Sequence, residues 1–231
     1  AVAPRLEAED PDLRGLAQLL TAEIESDVGD KAAALERFRG VDIDALTSPV
    51  PLHLAAELGA RLYGWLGDRD AQVELLAKVA AHPALGVRER LAFSAQLVDE
   101  LERGRPRQAR AARIAEWRAR VAETSDLGFL LAVETALLDI GARDEEAIRE
   151  ELFSLYTEEQ NPERRRALVL RTVQAAAERG NEFLQYQFAT TWASGLRREN
   201  PERKYAAELY RTLVLERAYG ELADQEVSEA R

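Results

Sequence analysis

The chain has 231 residues and a formal net charge of −11, enough length for one large domain or two small ones, and too acidic for the basic footprint of a general nucleic-acid binder. It has no cysteine, which removes disulfides and thiolate metal sites, and no methionine. No apolar run approaches the roughly 20 residues that cross a bilayer, so membrane contact is not expected through this stretch. The acidic balance suits either a cationic partner or simple solubility. Basic residues are nearly all arginine, with lysine only at Lys31, Lys78 and Lys204. The start at Ala1-Val2-Ala3-Pro4 and the end at Arg231, in mid-pattern, read as a piece of a longer protein.

Helix formers dominate, and glycine punctuates them at a near-constant period. Gly29, Gly67, Gly104, Gly141 and Gly180 are separated by 38, 37, 37 and 39 residues. Each follows an amphipathic stretch, a spacing that predicts helical hairpins stacked in units. The first unit reads as a helix from about Leu13 to Asp27, a turn at Gly29-Asp30, and a short helix to Arg39; Val41 to Thr47 reads as looser chain. In the second, Leu54, Leu58, Leu62 and Trp65 fall on one helical face, Gly67-Asp68 turns the chain, and Ala71, Leu75 and Val79 mark the return helix before Pro83. The third runs through Leu91, Val98 and Leu101, breaks at Gly104 and Pro106, and resumes through Trp117.

In the fourth unit Leu130, Val133, Leu137 and Ile140 share a face, Gly141 breaks it, and a helix follows through Tyr156. The fifth opens at Asn161-Pro162-Glu163-Arg164, turns at Gly180 and continues to about Arg198; the sixth opens on the same four residues at Asn200-Pro201-Glu202-Arg203 and turns near Gly220. This quartet predicts a helix start: asparagine accepts from free amides, proline fits the first helical position, and glutamate favours the positive end of the dipole. Ser48-Pro49 and Ser125-Asp126 hold similar places. The units are approximately 10–47, 48–84, 85–124, 125–160, 161–199 and 200–231, within one repeat domain.

The second unit resembles a tetratricopeptide repeat (TPR): Leu58-Gly59, Leu62, Gly67-Asp68, Ala71, Leu75 and Pro83 follow that family's order of small and large residues. It departs from the pattern at Lys78, where a small residue is usual, and its turn is about one residue short. The later units keep the glycine and a nearby alanine, Ala109 or Ala147, and lose other positions; HEAT-like and Sel1-like hairpins stay open. The resemblance implies an all-α fold, a right-handed α-solenoid of five to six TPR-like hairpins, with a groove lined by first helices. Groove candidates on that basis are His53, Tyr63, Phe129, Arg166, Tyr205 and Glu208. The acidic, arginine-rich, divergent repeats also resemble the periplasmic repeat segments of bacterial exopolysaccharide export scaffolds of the Pel type. That resemblance implies recruitment of a polysaccharide-modifying enzyme during biofilm formation, and a location in the periplasm, with the cytoplasm as the alternative.

Candidate chemistry is sparse. His53 and His82 are the only histidines, and neither has the convergent ligands or paired base that a metal or acid–base site needs. The carboxylates Asp144, Glu145, Glu146, Glu150, Glu151, Glu158 and Glu159 read as a solvated helix face paired with nearby arginines rather than a calcium loop. The arginine run from Arg103 to Arg120 either grips an anion or, as the preferred reading, pairs with acidic residues on adjacent helices. Aromatics gather in the second half, among them Phe153, Phe183, Phe188, Trp192 and Tyr205, where most should be core and some could stack on sugars. The expectation is therefore a non-catalytic protein–protein interaction scaffold without cofactor or metal. The alternatives are an acidic groove that guides a cationic polysaccharide, or a helical accessory domain of a larger enzyme.

Overall fold

The structure, a computed structural model, describes residues 10–138, 145–195, 200 and 203–213. Every regular element among the described residues is helical. In chain order these are α1 (Pro11–Asp27), α2 (Lys31–Arg39), a 3-10 turn (Ile43–Ala45), α3 (Pro49–Leu66), α4 (Arg69–Ala80), α5 (Val87–Glu102), α6 (Arg107–Arg120), α7 (Asp126–Leu138), α8 (Glu145–Glu158), α9 (Pro162–Glu178) and α10 (Glu182–Gly195). Residues 203–213 are helical as well. The expected features at Ile140, Gly141, Asp144, Arg198, Pro201, Glu202 and Gly220 lie outside the described residues. No described helix is long and apolar enough to cross a membrane.

The glycine marks work as helix stops. Gly29, Gly67, Gly104 and Gly180 all have positive φ, between 67° and 94°, a region closed to most side chains. Three of them are followed at once by a cap for the next helix. The Asp30 and Asp68 carboxylates accept from the amides of Ala33 and Ala71, each at 3.1 Å, and Asn181 Oδ1 accepts from Leu184 N at 3.0 Å. A Gly-Asp or Gly-Asn pair thus ends one helix and starts its partner two residues later. The helix starts behave similarly. Asn161 Oδ1 accepts from Glu163 N and Arg164 N at 2.9 and 3.3 Å, and Ser125 Oγ accepts from Gly128 N at 3.0 Å. Ser48 differs, since its side chain makes no capping bond. Instead Asp12 reaches across from α1 and accepts from Thr47 N, Thr47 Oγ1 and Ser48 N at 2.7, 2.6 and 3.3 Å, so one hairpin caps the next.

The chain forms two compact units, Ala1–Glu134 and Thr135–Arg231. In the first, α1 packs on α2, α3 on α4 and α5 on α6, while α3 contacts both α1 and α2, and α4 contacts α5. Polar ties between first helices span about one repeat: Arg61 donates to Glu23 (38 residues apart), His53 meets Glu89 (36 apart) and Arg90 donates to Asp126 (36 apart). The apolar interior includes Leu19, Leu52, Leu58, Leu62, Leu97 and Leu101, all fully buried. In the second unit α9 packs on α10, the Phe153 ring of α8 stacks on Phe188 of α10 at 4.7 Å, and Tyr186 of α10 donates to Leu213 O at 2.6 Å.

The core face of α3 takes in Leu58 and Leu62 of the apolar stripe but not its two ends. Leu52, Ala55, Ala56, Leu58, Gly59 and Leu62 are buried, whereas Leu54 is half-buried and Trp65 is 52% exposed. At 100° per residue the buried face is centred about a quarter-turn from the Leu54–Trp65 line. Gly59 lies at the closest approach. A methyl group there would overlap Leu75 Cδ2 of α4 and lie 2.7 Å from Phe38 Cζ of α2. Gly64, on the same helix, has open space around it.

Two predictions follow from this packing. Gly59→Leu should lower unfolding free energy by about 1–3 kcal/mol through overpacking, while Gly64→Ala should raise it by about 0.5–1 kcal/mol, both read from urea titrations. The second concerns pH. Hydrogen bonds, first from the Thr47 hydroxyl and then from its amide, hold the Asp12 carboxyl below its ordinary value. A depressed carboxyl stabilises the fold above its unfolded-state pKa and loses that contribution as pH falls through the folded-state value. Asp12→Ala should therefore cost about 1 kcal/mol at pH 7, the low end for bonds to a charged group because the site is open to solvent, and the gap should close as pH is lowered below about 4.

Candidate functional site

The first unit carries a cleft of about 590 Å³. Its floor is one face of α4, where Ala71, Glu74, Leu75 and Lys78 recur at helical spacing and Ala71 and Ala77 leave room above the helix. One wall comes from Phe38 and Arg39 at the end of α2, with Val41 and Ile43 of the following turn; the other comes from Trp117, Arg120 and Val121 at the end of α6. Tyr63 of α3 contributes its ring, set edge-on to Phe38 at 5.8 Å. The cleft is thus built mainly by second helices of successive hairpins. Their apolar sides pack inward, and short residues on the exposed side of α4 keep the space open.

Its charged groups are anchored loosely. Lys78 Nζ is 2.8 Å from Asp44 Oδ2, with both side chains exposed. Arg120 Nη2 donates to both Glu74 oxygens at 2.9 and 3.1 Å, and its guanidinium lies 4.1 Å from the centre of the Trp117 ring. Arg39 Nη1 is 3.5 Å from Glu36 Oε1. Exposed pairs of this kind each contribute about 0–1 kcal/mol, so each can be exchanged for a new partner at small cost. Trp117 itself is buried, and its Nε1 has no hydrogen-bond partner. These groups can hold an apolar side chain beside an anion; no cluster of possible metal ligands occurs among the described residues.

Of the six groove candidates, Tyr63 is the one that lines this cleft. His53 is exposed near the start of α3, with Nε2 3.2 Å from Glu89 Oε1 and its ring 4.9 Å from Phe93. The Gly86 amide, and then His53, hold the Glu89 carboxyl below its ordinary range, so this trio joins α3 to the start of α5. Phe129 is buried in α7, a helix buried on nearly all sides, and belongs to the core. In the second unit, Arg166 is half-buried on α9, Tyr205 is 65% exposed and Glu208 is exposed.

The other candidates take structural places. His82 is buried and its Nδ1 accepts from Ala84 N at 3.2 Å, shaping the loop after α4. The arginine run pairs as preferred: Arg110 lies 4.0 Å from Glu102 of α5, and Arg113 donates to Asp70 of α4 at 2.8 Å. In the acidic segment, Glu146 pairs with Arg149 at 2.6 Å and Glu159 with Arg164 at 3.4 Å. Among the late aromatics, Phe188 and Trp192 are core and Phe183 is 65% exposed. Sequence reasoning missed the cleft residues Phe38, Arg39 and Glu74, while Arg120 belongs to the arginine run read there as an anion grip or an ion-pair partner. One signal was present: Lys78 stands where the repeat pattern wants a small residue, and it projects at the cleft.

The site separates structural from replaceable groups. Trp117→Ala should cost about 3–5 kcal/mol in urea unfolding, because it empties a buried aromatic position, whereas Lys78→Ala should cost less than about 1 kcal/mol. No protein-family model, curated protein or solved structure matches this chain.

Proposed function

We propose that this chain is a non-catalytic scaffold, a right-handed α-solenoid of TPR-like hairpins that binds a protein partner on its surface. The observation that carries the reading is the set of ties one repeat apart, Glu23 to Arg61, His53 to Glu89 and Arg90 to Asp126. Each hairpin leans on its neighbour, as nearest-neighbour stacking in a repeat array requires. Gly59 supports the same reading, because it lets helices approach as the small residues of TPR hairpins do. Such arrays present broad surfaces, and here the second helices leave a cleft of about 590 Å³ with an aromatic and cationic lining. The three cations of that lining favour a protein segment over a cationic polysaccharide at this place. In its specific form the proposal is recruitment of a polysaccharide-modifying enzyme during exopolysaccharide export in the bacterial periplasm.

The test is affinity capture with the chain as bait against envelope and cytoplasmic extracts, followed by reconstitution with the purified partner. We expect a defined complex with an envelope enzyme that modifies polysaccharide. Capture of cytoplasmic proteins alone removes the export role, and steady turnover of a polymer by the isolated chain overturns the scaffold.

A further inference from the structure

We infer that the cleft across α4 docks a short acidic segment of a protein partner, one that places an aliphatic or aromatic side chain beside a carboxylate. The inference rests on the scaffold reading and names the chemistry of its partner. Shape comes first. The floor from Ala71 to Lys78 spans about 10 Å at 1.5 Å per residue, the length of about three extended residues. The half-buried Tyr63 ring, backed by the buried Leu75 and Trp117, supplies an apolar bed for one side chain laid against it.

Charge decides the rest. Arg39, Lys78 and Arg120 face the cleft against a single carboxylate, Glu74, on a chain whose net charge is −11. The counter-ions of Arg39 and Lys78 are not in the lining: the Glu36 and Asp44 side chains are 78% and 71% exposed. A carboxylate entering the cleft can therefore take over those cations while Glu36 and Asp44 return to water. Arg120 is already oriented by its stack on Trp117 and its bonds to Glu74, so less side-chain freedom is lost when it turns to a second acceptor. Within the lining a basic segment would find three like charges and one carboxylate, Glu74, already held by Arg120, with Asp44 and Glu36 outside it, and a neutral segment would leave the cations unused.

The experiment pans a random displayed 12-residue peptide library against the full chain. Affinities of enriched peptides are then measured by fluorescence anisotropy with wild type, Lys78→Glu, Arg120→Glu and the cleft-filling Ala77→Phe, each checked for an unchanged thermal melt. We expect enriched peptides to pair Asp or Glu with Leu, Ile or Phe, and Kd to rise about tenfold or more in every variant. Enrichment of basic or uncharged peptides, equal binding to all variants, or no enrichment overturns the inference. Capture of the native partner by the Lys78→Glu bait keeps the scaffold reading separate: if it persists while acidic peptides fail, only the cleft assignment falls.

Discussion

The packing of the first unit turns on the missing side chain of Gly59. Helices α2, α3 and α4 converge there, with Phe38 and Leu75 filling the space a methyl group would need. This close approach lets the Phe38 ring meet the edge of Tyr63 and brings Leu75 to the cleft floor. Interiors are close-packed, so a shift at this point would move the floor of the cleft and its α2 wall. The binding surface is in this sense a by-product of how tightly the hairpin closes.

Electrostatics follows a division of labour. The ties between hairpins use well-placed partners: Arg90 Nε meets the buried Asp126 at 2.6 Å while its Nη1 donates to Leu85 O at the same distance, and Asp12 gathers three donors from the start of α3. A buried charge with its partner removed is costly, so the Arg90–Asp126 pair in particular sets how neighbours meet. The pairs at the cleft are exposed and weak, and that is what leaves their cations open to another acceptor. Of the ties between hairpins only Arg90–Asp126 is buried; Arg61–Glu23 is nearly as exposed as the cleft pairs and differs from them in joining two hairpins.

Much of the fold is legible in the chain. The Gly-Asp pairs at 29–30 and 67–68, and the Asn-Pro-Glu-Arg start at 161–164, specify helix ends by local rules: a backbone region open to glycine and a side-chain acceptor near free amides. Leu91, Val98, Leu101, Leu130, Val133 and Leu137 were readable as core from their spacing. The site was less legible. Tyr63 could be placed near a groove from the repeat pattern, and Lys78 stood out as a departure from it, but Arg39 and Arg120 lie 81 residues apart and nothing local relates them.

What the sequence by itself determined is the all-helical character and the punctuation of the described helices, because caps, turns and helical periodicity act over a few residues. What only the tertiary structure decided is which face each helix turns to its neighbours. On α3 the stripe residues Leu58 and Leu62 are core while Leu54 and Trp65 are not, because the face centred nearer Gly59 is the one where three helices pack at once. The cleft depends on that packing, since it arises where the ends of α2 and α6 flank the short side chains of α4.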